Sequence, residues 1–271
     1  MSLTRNLWSR IRGLPGTSVI AAALRYLKSV RLQPHSLRES QSNESNLVES
    51  FVSKLSIPQT FCEFGFDITE FNCSRLIRKG WSGLLLDGNP QRVLFANRVL
   101  KKDPTLDVTA QCTFLTLDNL NQTLQIFLAE RRLGVLSIDV DGNDYWFLDA
   151  LLPLRPALVI VEYNASFGIR PISVPYDANF ERHEKHASGW YHGASLTAFC
   201  SLMALHGYSL VAVSNGGGNA FFALDELLEG SGIRPLNAGE AYRESVLRNH
   251  WSGTTAREQW GLIEHMPYIQ I

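Results

Sequence analysis

From Thr60 onward the apolar and polar positions of this chain alternate between short apolar runs and stretches with helical spacing. Thr60–Phe64, Gly83–Leu86 and Val135–Val140 have the length and character of strands, and Leu106–Gln111 is a weaker one. Ala157–Tyr163, rich in Val and Ile, reads as a strand covered on both faces. Helices are predicted between them over Cys73–Lys79, Asn89–Lys101, Leu117–Arg131 and Tyr145–Leu152. Pro90 suits a first helical position, and Pro153 stops the last of these helices. Ala194–His206 is a further helix ended by Gly207, and Tyr208–Ser214 and Asn219–Asp225 flank the Asn215–Gly218 turn as a hairpin. Strands separated by helices imply parallel units with right-handed crossovers. The predicted class is therefore α/β: a mostly parallel seven-stranded sheet with a terminal antiparallel hairpin and helices on both faces.

The two ends depart from this rhythm. Residues 1–32 predict one or two amphipathic helices broken near Gly13, Pro15 and Gly16, and 33–45 read as a Ser- and Asn-containing linker. Leu47–Leu55 resumes a helical period. The expected organisation is a basic helical arm and linker over 1–45, the α/β domain over 46–230, and a helical extension over 231–271 that packs on the core or on a partner subunit. The first 38 residues contain Arg and Lys but no acid, which suits anionic lipid or an acidic neighbouring copy; a solvated helical face is the plainer reading. Over the whole chain the formal net charge is −1, so there is no electrostatic case for a nucleic-acid partner. Cys62, Cys73, Cys112 and Cys200 are far apart and form no C-x-x-C pair, which argues against a zinc ribbon or a disulfide framework. That usage fits a reducing, cytoplasmic setting. No run of about 18 apolar residues is present to span a membrane.

Ligands of open parallel sheets bind at the carboxyl ends of the strands, so the residues there are the candidates for chemistry. Each such end carries an acid: Glu63-Phe64-Gly65-Phe66-Asp67, Asp87-Gly88-Asn89, Asp139-Val140-Asp141-Gly142-Asn143-Asp144 and Glu162-Tyr163-Asn164. Gly65 allows a close backbone approach to a ligand. Asp87 follows it by about 22 residues, near the spacing at which an acid meets ribose hydroxyls, and a carboxylate accepts two such donors. Glu63 or Asp67 would pair with a cationic amino group. The same Asp87-Gly88 is also an ordinary turn pair.

Phe61–Asp67, Gly80–Gly88 and Ser137–Trp146, followed by Val161-Glu-Tyr-Asn, Val174-Pro-Tyr and Tyr191-His-Gly-Ala-Ser-Leu, resemble the FkbM-type and related O-methyltransferases of sugars and natural products. The resemblance covers roughly residues 60–226. It implies a Rossmann-like methyltransferase fold, S-adenosylmethionine as cofactor held by Glu63, Gly65, Asp67, Asp87 and Gly88, and a small hydroxyl acceptor. One departure stands out: Asp67-Ile68-Thr69-Glu70 occupies the place of the family's second loop glycine.

Asp139, Asp141, Glu162 and Asn164 crowd two neighbouring strand ends, and like charges this close call for a compensating cation or donor. A hard divalent ion such as Mg²⁺ takes these ligand types and would acidify an acceptor hydroxyl; alternatively Asn143 or Asp144 is only a helix cap. The aperiodic stretch 164–193 is the place for an acceptor-binding loop. Within it His192 is the expected general base, with Asp139 as its catalytic companion, while His183 and His186 belong to a charged, exposed run. Two other readings compete: a metal-dependent glycosyltransferase using Asp139-Val140-Asp141 as a D-x-D, and a non-catalytic Rossmann-like binding module. The basic arm also leaves self-association open.

Overall fold

A computed structural model of the chain describes residues 42–66, 71–129 and 131–271. The chain divides into the units Met1–Leu37 and Arg38–Ile271. The first unit, and with it the expected basic arm, lies outside the described residues. So do Asp67 and most of the expected linker.

Helix α1 (Glu44–Lys54) starts inside the stretch read as linker, and Glu44 and Ser45 are both buried. Ser and Asn mark loops and helix starts alike, which is why composition placed the boundary too late. The sheet comprises β1 (Thr60–Phe64), β2 (Ser82–Asp87), β3 (Val108–Cys112), β4 (Val135–Ile138), β5 (Leu158–Glu162), β7 (Tyr208–Val213) and β8 (Asn219–Leu224). Its order is β3-β2-β1-β4-β5-β8-β7, with β8 alone antiparallel to its neighbours. This is the Rossmann-like methyltransferase arrangement. Between the strands run α2 (Ser74–Arg78), α3 (Pro90–Leu100), α4 (Leu117–Leu128), α5 (Asp144–Leu151) and, before β7, α7 (Leu196–Leu205).

Alternation along each strand sends successive side chains to opposite faces. Phe64, Leu86, Ile138 and Val161 share one core with apolar residues of α4, α5 and α7. Phe222 belongs to that core, whereas its neighbour Phe221 meets Phe51 of α1 with ring centroids 6.0 Å apart, so α1 covers the other face. Both faces of the central strands are thus dry, and those strands read as near-continuous apolar runs, whereas the edge strand β3 is largely exposed.

The stretch 164–193 holds a 3₁₀ turn (Ala165–Phe167), the two-residue β6 (Ile172–Ser173) and the one-turn α6 (Arg182–Lys185), all too short to leave a period in the sequence. The C-terminal residues form α8 (Ala238–Ala241), α9 (Val246–Ser252), α10 (Ala256–Ile263) and β9 (Ile269–Gln270), which pairs antiparallel with β6. Ile263 packs with Phe167, Ile172 and Tyr191 in a second apolar cluster. Among the described residues no helix is long and apolar enough to cross a membrane.

Candidate active site

The strand order reverses between β1 and β4, where crossovers leave in opposite directions and open a cleft at the carboxyl ends. A cavity of about 450 Å³ lies there. Glu63 and Gly65 line it after β1, Asp87 and Gly88 after β2, Asp139 and Asp141 after β4, and Glu162 at the end of β5. Gly65 and Asp87 therefore border one cavity, of a size common for small-molecule sites.

On the β1–β2 side the carboxylates are held by backbone. Glu63 accepts from Asn72 N at 2.7 Å and Cys73 N at 2.9 Å, one to each oxygen. These bonds fix the start of α2, and burial pushes the Glu63 carboxyl up to about 7 against their opposing pull. Glu63 thus braces the loop instead of offering a free carboxylate to a ligand's amino group. Gly65 has φ +72°, and a Cβ there would lie 1.5 Å from the carbonyl oxygen of Asp139. The glycine is dictated by the crossing of β1 and β4, a correction to the expectation that a ligand alone requires it. Asp87, only 6% exposed, accepts from Asn89 N at 2.6 Å and from Arg92 Nη1 at 3.1 Å. Phe114, 62% exposed, presents a ring beside Gly88 on the cavity wall.

At the β4–β5 side the acids are ordered differently. Asp144 accepts from Val140 N at 2.9 Å and Gly142 N at 3.0 Å, closing the loop ahead of α5. Burial, then the charge of Glu162, pushes its carboxyl up to about 7. Asp141 holds φ +59° and forms an ion pair with Arg182. Asn143 binds both the N–H and the carbonyl of Asp177, tying this loop to the chain before α6. Asp139 is half-buried at the cavity wall; desolvation, then the charge of Glu162, holds its carboxyl well above the usual range. The Glu162 carboxyl is pushed up as well, by burial and then by Asp141, against the pull of Arg248, Arg182 and a hydrogen bond with Asp139. Both carboxyls are raised, Asp139 the further, so the proton shared in their hydrogen bond is held on Asp139, which donates to Glu162.

Two arginines supply the compensating charge. Arg182 donates through Nε to Gly189 O at 2.9 Å and through Nη2 to His192 Nε2 at 3.2 Å. Arg248, from α9, donates to Asn164 Oδ1 at 2.7 Å, Ser166 Oγ at 3.0 Å and His192 Nε2 at 3.0 Å, with Glu162 Oε1 3.9 Å away. His192 is buried, and desolvation, then Arg182 and Arg248, holds its imidazole far below the ordinary range. It is neutral, and its Nε2 lone pair is occupied by guanidinium donors. That overturns the expectation of His192 as general base, because a base needs that lone pair free. His183 is exposed and His186 bonds Ser188.

The donor set does not fit a divalent ion. Asp141, Glu162 and His192 each bring one ligand atom within 4.8 Å of the others, yet all three face guanidinium groups that repel a metal. Asn164, the fourth expected ligand, uses both oxygen lone pairs on Ser166 N and Arg248. The D-x-D also splits: Asp139 is half-buried and hydrogen-bonded to Glu162, while Asp141 sits at the surface with Arg182.

Three distant segments close the far wall. Asn215 N donates to Asn43 Oδ1 at 2.8 Å, Gly216 N to Ser42 Oγ at 3.1 Å, and Val246 N to Gly216 O at 2.8 Å. Glu44, Gly217–Asn219 and Ser245 thereby reach the cavity.

No family model matches this sequence, and no curated protein matches it. Among solved structures it is similar to the bifunctional kinase-methyltransferase WbdD, at 11% identity and TM-score 0.45 over 77% of this chain and 48% of that one. The chain thus spans about half the length of WbdD. It is similar to a methyltransferase from Geobacter sulfurreducens at 17% identity and TM-score 0.45, covering 82% of this chain and 96% of that one. It is also similar to an O-methyltransferase from Bacillus cereus, solved in complex with SAH, at 19% identity and TM-score 0.42, covering 78% and 91%. The likeness is one of fold.

Arg182, Arg248, Glu44 and Phe114 are site residues the sequence pattern did not single out. Arg182 sits in a charged run that reads as solvated, and Arg248 lies in the C-terminal extension, far in sequence from any strand end. The one available signal was indirect: four acids at adjacent strand ends demand cations from somewhere.

Proposed function

We propose that this chain is an S-adenosylmethionine-dependent methyltransferase acting on a hydroxyl group of a small acceptor, a sugar or natural product, with Glu162 as the base. The observation that carries the reading is that Gly65, Asp87 and Glu162 border one cavity at the switch point of this fold. Asp87 and Gly88 are the residues suited to a ribose and Phe114 to the face of a nucleobase. Asp67, outside the described residues, is the remaining candidate for the amino end. When bound, the cofactor supplies an electrophilic methyl group.

The protein's part is orientation and proton handling. Glu162 is 21% exposed and faces the cavity, flanked by the hydrogen-bonded Asp139 and by Arg248. With the cofactor bound, Glu162 would receive the proton given up by the acceptor hydroxyl. Asp139, first expected to act directly, serves Glu162 as a hydrogen-bond donor in this reading. No step runs through a metal. The family resemblance and the acceptor-rich wall of Glu44, Asp141 and Glu162 support a donor-rich, hydroxylated acceptor.

Thermal unfolding with added cofactor tests the proposal. S-adenosylmethionine or its demethylated product at 100 times Kd should stabilise the protein by about 2.7 kcal/mol, and a nucleotide sugar should not. Asp87→Ala should abolish that shift with an unchanged circular dichroism spectrum. A native chain that responds to neither cofactor form removes the reading.

A further inference from the structure

We infer that Arg182 and Arg248 act as a guanidinium clamp that locks His192 as a neutral Nδ1–H donor directed at Glu162, making both arginines positioning residues. The inference deepens the assignment of Glu162 as base and rests on it for its catalytic meaning.

The chemistry is restrictive. Arginine only donates, so Nε2 of His192, 3.2 Å from Arg182 Nη2 and 3.0 Å from Arg248 Nη2, has to accept from both. The ring proton is thereby placed on Nδ1, and Nδ1 faces Glu162 Oε2 at 3.9 Å. A proton on Nε2 would point at two cations. The imidazole is therefore kept from acting as a second proton acceptor beside Glu162.

The clamp is itself well anchored. Asn164 Nδ2 donates to the carbonyls of Trp190 at 2.6 Å and His192 at 2.8 Å, and its Oδ1 receives Arg248. Ser166 Oγ receives Arg248 and donates to the fully buried Gln259 of α10 at 2.6 Å. The C-terminal extension thus delivers a cation to the centre of the site and holds it with groups that have no slack. A salt bridge placed only for stability would not need its guanidinium on an imidazole nitrogen.

Long-range ¹H–¹⁵N NMR of the ¹⁵N-histidine-labelled full chain reads the tautomer directly, without any acceptor or cofactor. The expected result at neutral pH is one histidine with an unprotonated, downfield Nε2 and a protonated, upfield Nδ1. His192→Gln assigns it by loss of that pair. An Nε2–H tautomer or an imidazolium for His192 in the native chain overturns the proposal. In Arg182→Met/Arg248→Met the ring should lose the Nδ1–H form, whereas Arg248→Lys should keep it. A double variant that folds, by circular dichroism, and retains the native tautomer also overturns it. The two claims fail separately: a native chain with the Nδ1–H form but no response to S-adenosylmethionine loses the proposed activity and keeps the clamp.

Discussion

The β1–β2 side of the cavity and the β4–β5 side solve the same problem by different means. On the first, each functional carboxylate is fixed by backbone N–H groups no more than ten residues away: Glu63 by Asn72 and Cys73, Asp87 by Asn89. On the second, only Asp144 is held that way, by Val140 and Gly142; the other contacts run between side chains far apart in sequence, Arg182 to Asp141 across 41 residues and Arg248 to Asn164 across 84. Backbone bonds formed locally come with the strand–turn–helix unit itself. A network of distant side chains exists only when the whole domain has closed. The first side is thus a property of a supersecondary motif, the second of the finished fold.

The largest effect that separates the two sides is catalytic. Glu162→Gln should lower turnover by about 10²–10⁴-fold, the range for loss of a general base, while the thermal shift from S-adenosylmethionine persists. Turnover is followed by transfer of a labelled methyl group, and an unimpaired variant would reassign the base. Next comes Gly65→Ala at the seam between the sides. With a positive φ and a Cβ 1.5 Å from a carbonyl oxygen, it should lose about 2–4 kcal/mol of stability in urea unfolding. A near-neutral result would mean that β1 and β4 do not cross as closely as described.

Glu63 gives a pH signature confined to the first side. Its folded pKa, about 7, lies above the ordinary 4.5, so the folded state binds the proton more tightly than the unfolded chain. Its contribution is greatest below pH 4.5 and is lost as pH rises to about 7, a fall of the order of 2–3 kcal/mol. Glu63→Gln should flatten that window in the urea-derived stability, and an unchanged slope would contradict a carboxyl whose burial outweighs its two backbone donors. The smallest expected effect is none: EDTA should leave turnover unaltered, because arginines fill the place of a metal. Loss of activity restored by Mg²⁺ would reverse that conclusion.

The same contrast explains what could be read from the chain. The strands, their order of appearance and the hairpin were legible because two-sided burial makes each one an apolar run bounded by glycine or acid. Asp87 and Gly65 were legible because they sit at strand ends, although the reason for Gly65 turned out to be Asp139. Glu162 was visible as a strand-end acid but was assigned to a metal, since the cations that balance it lie in segments without a period. His192 was legible as a buried-loop histidine, and its role was not. Which nitrogen carries the proton depends on Arg248, and nothing in the sequence joins positions 192 and 248. The β6–β9 pair escaped notice for the same reason, being two residues on each side.

The close crossing of Gly65 over the Asp139 carbonyl bears on motion as well as shape. With Asp139 N also bonded to Phe64 O, the two halves of the sheet are riveted together where a hinge would otherwise form. Splaying of the halves is foreclosed, so molecules entering or leaving the cleft pass by way of its rim. The pace of that traffic belongs to peripheral segments, such as the 42–43 and 215–216 contacts, and substitutions there should alter residence times without touching the chemistry beneath.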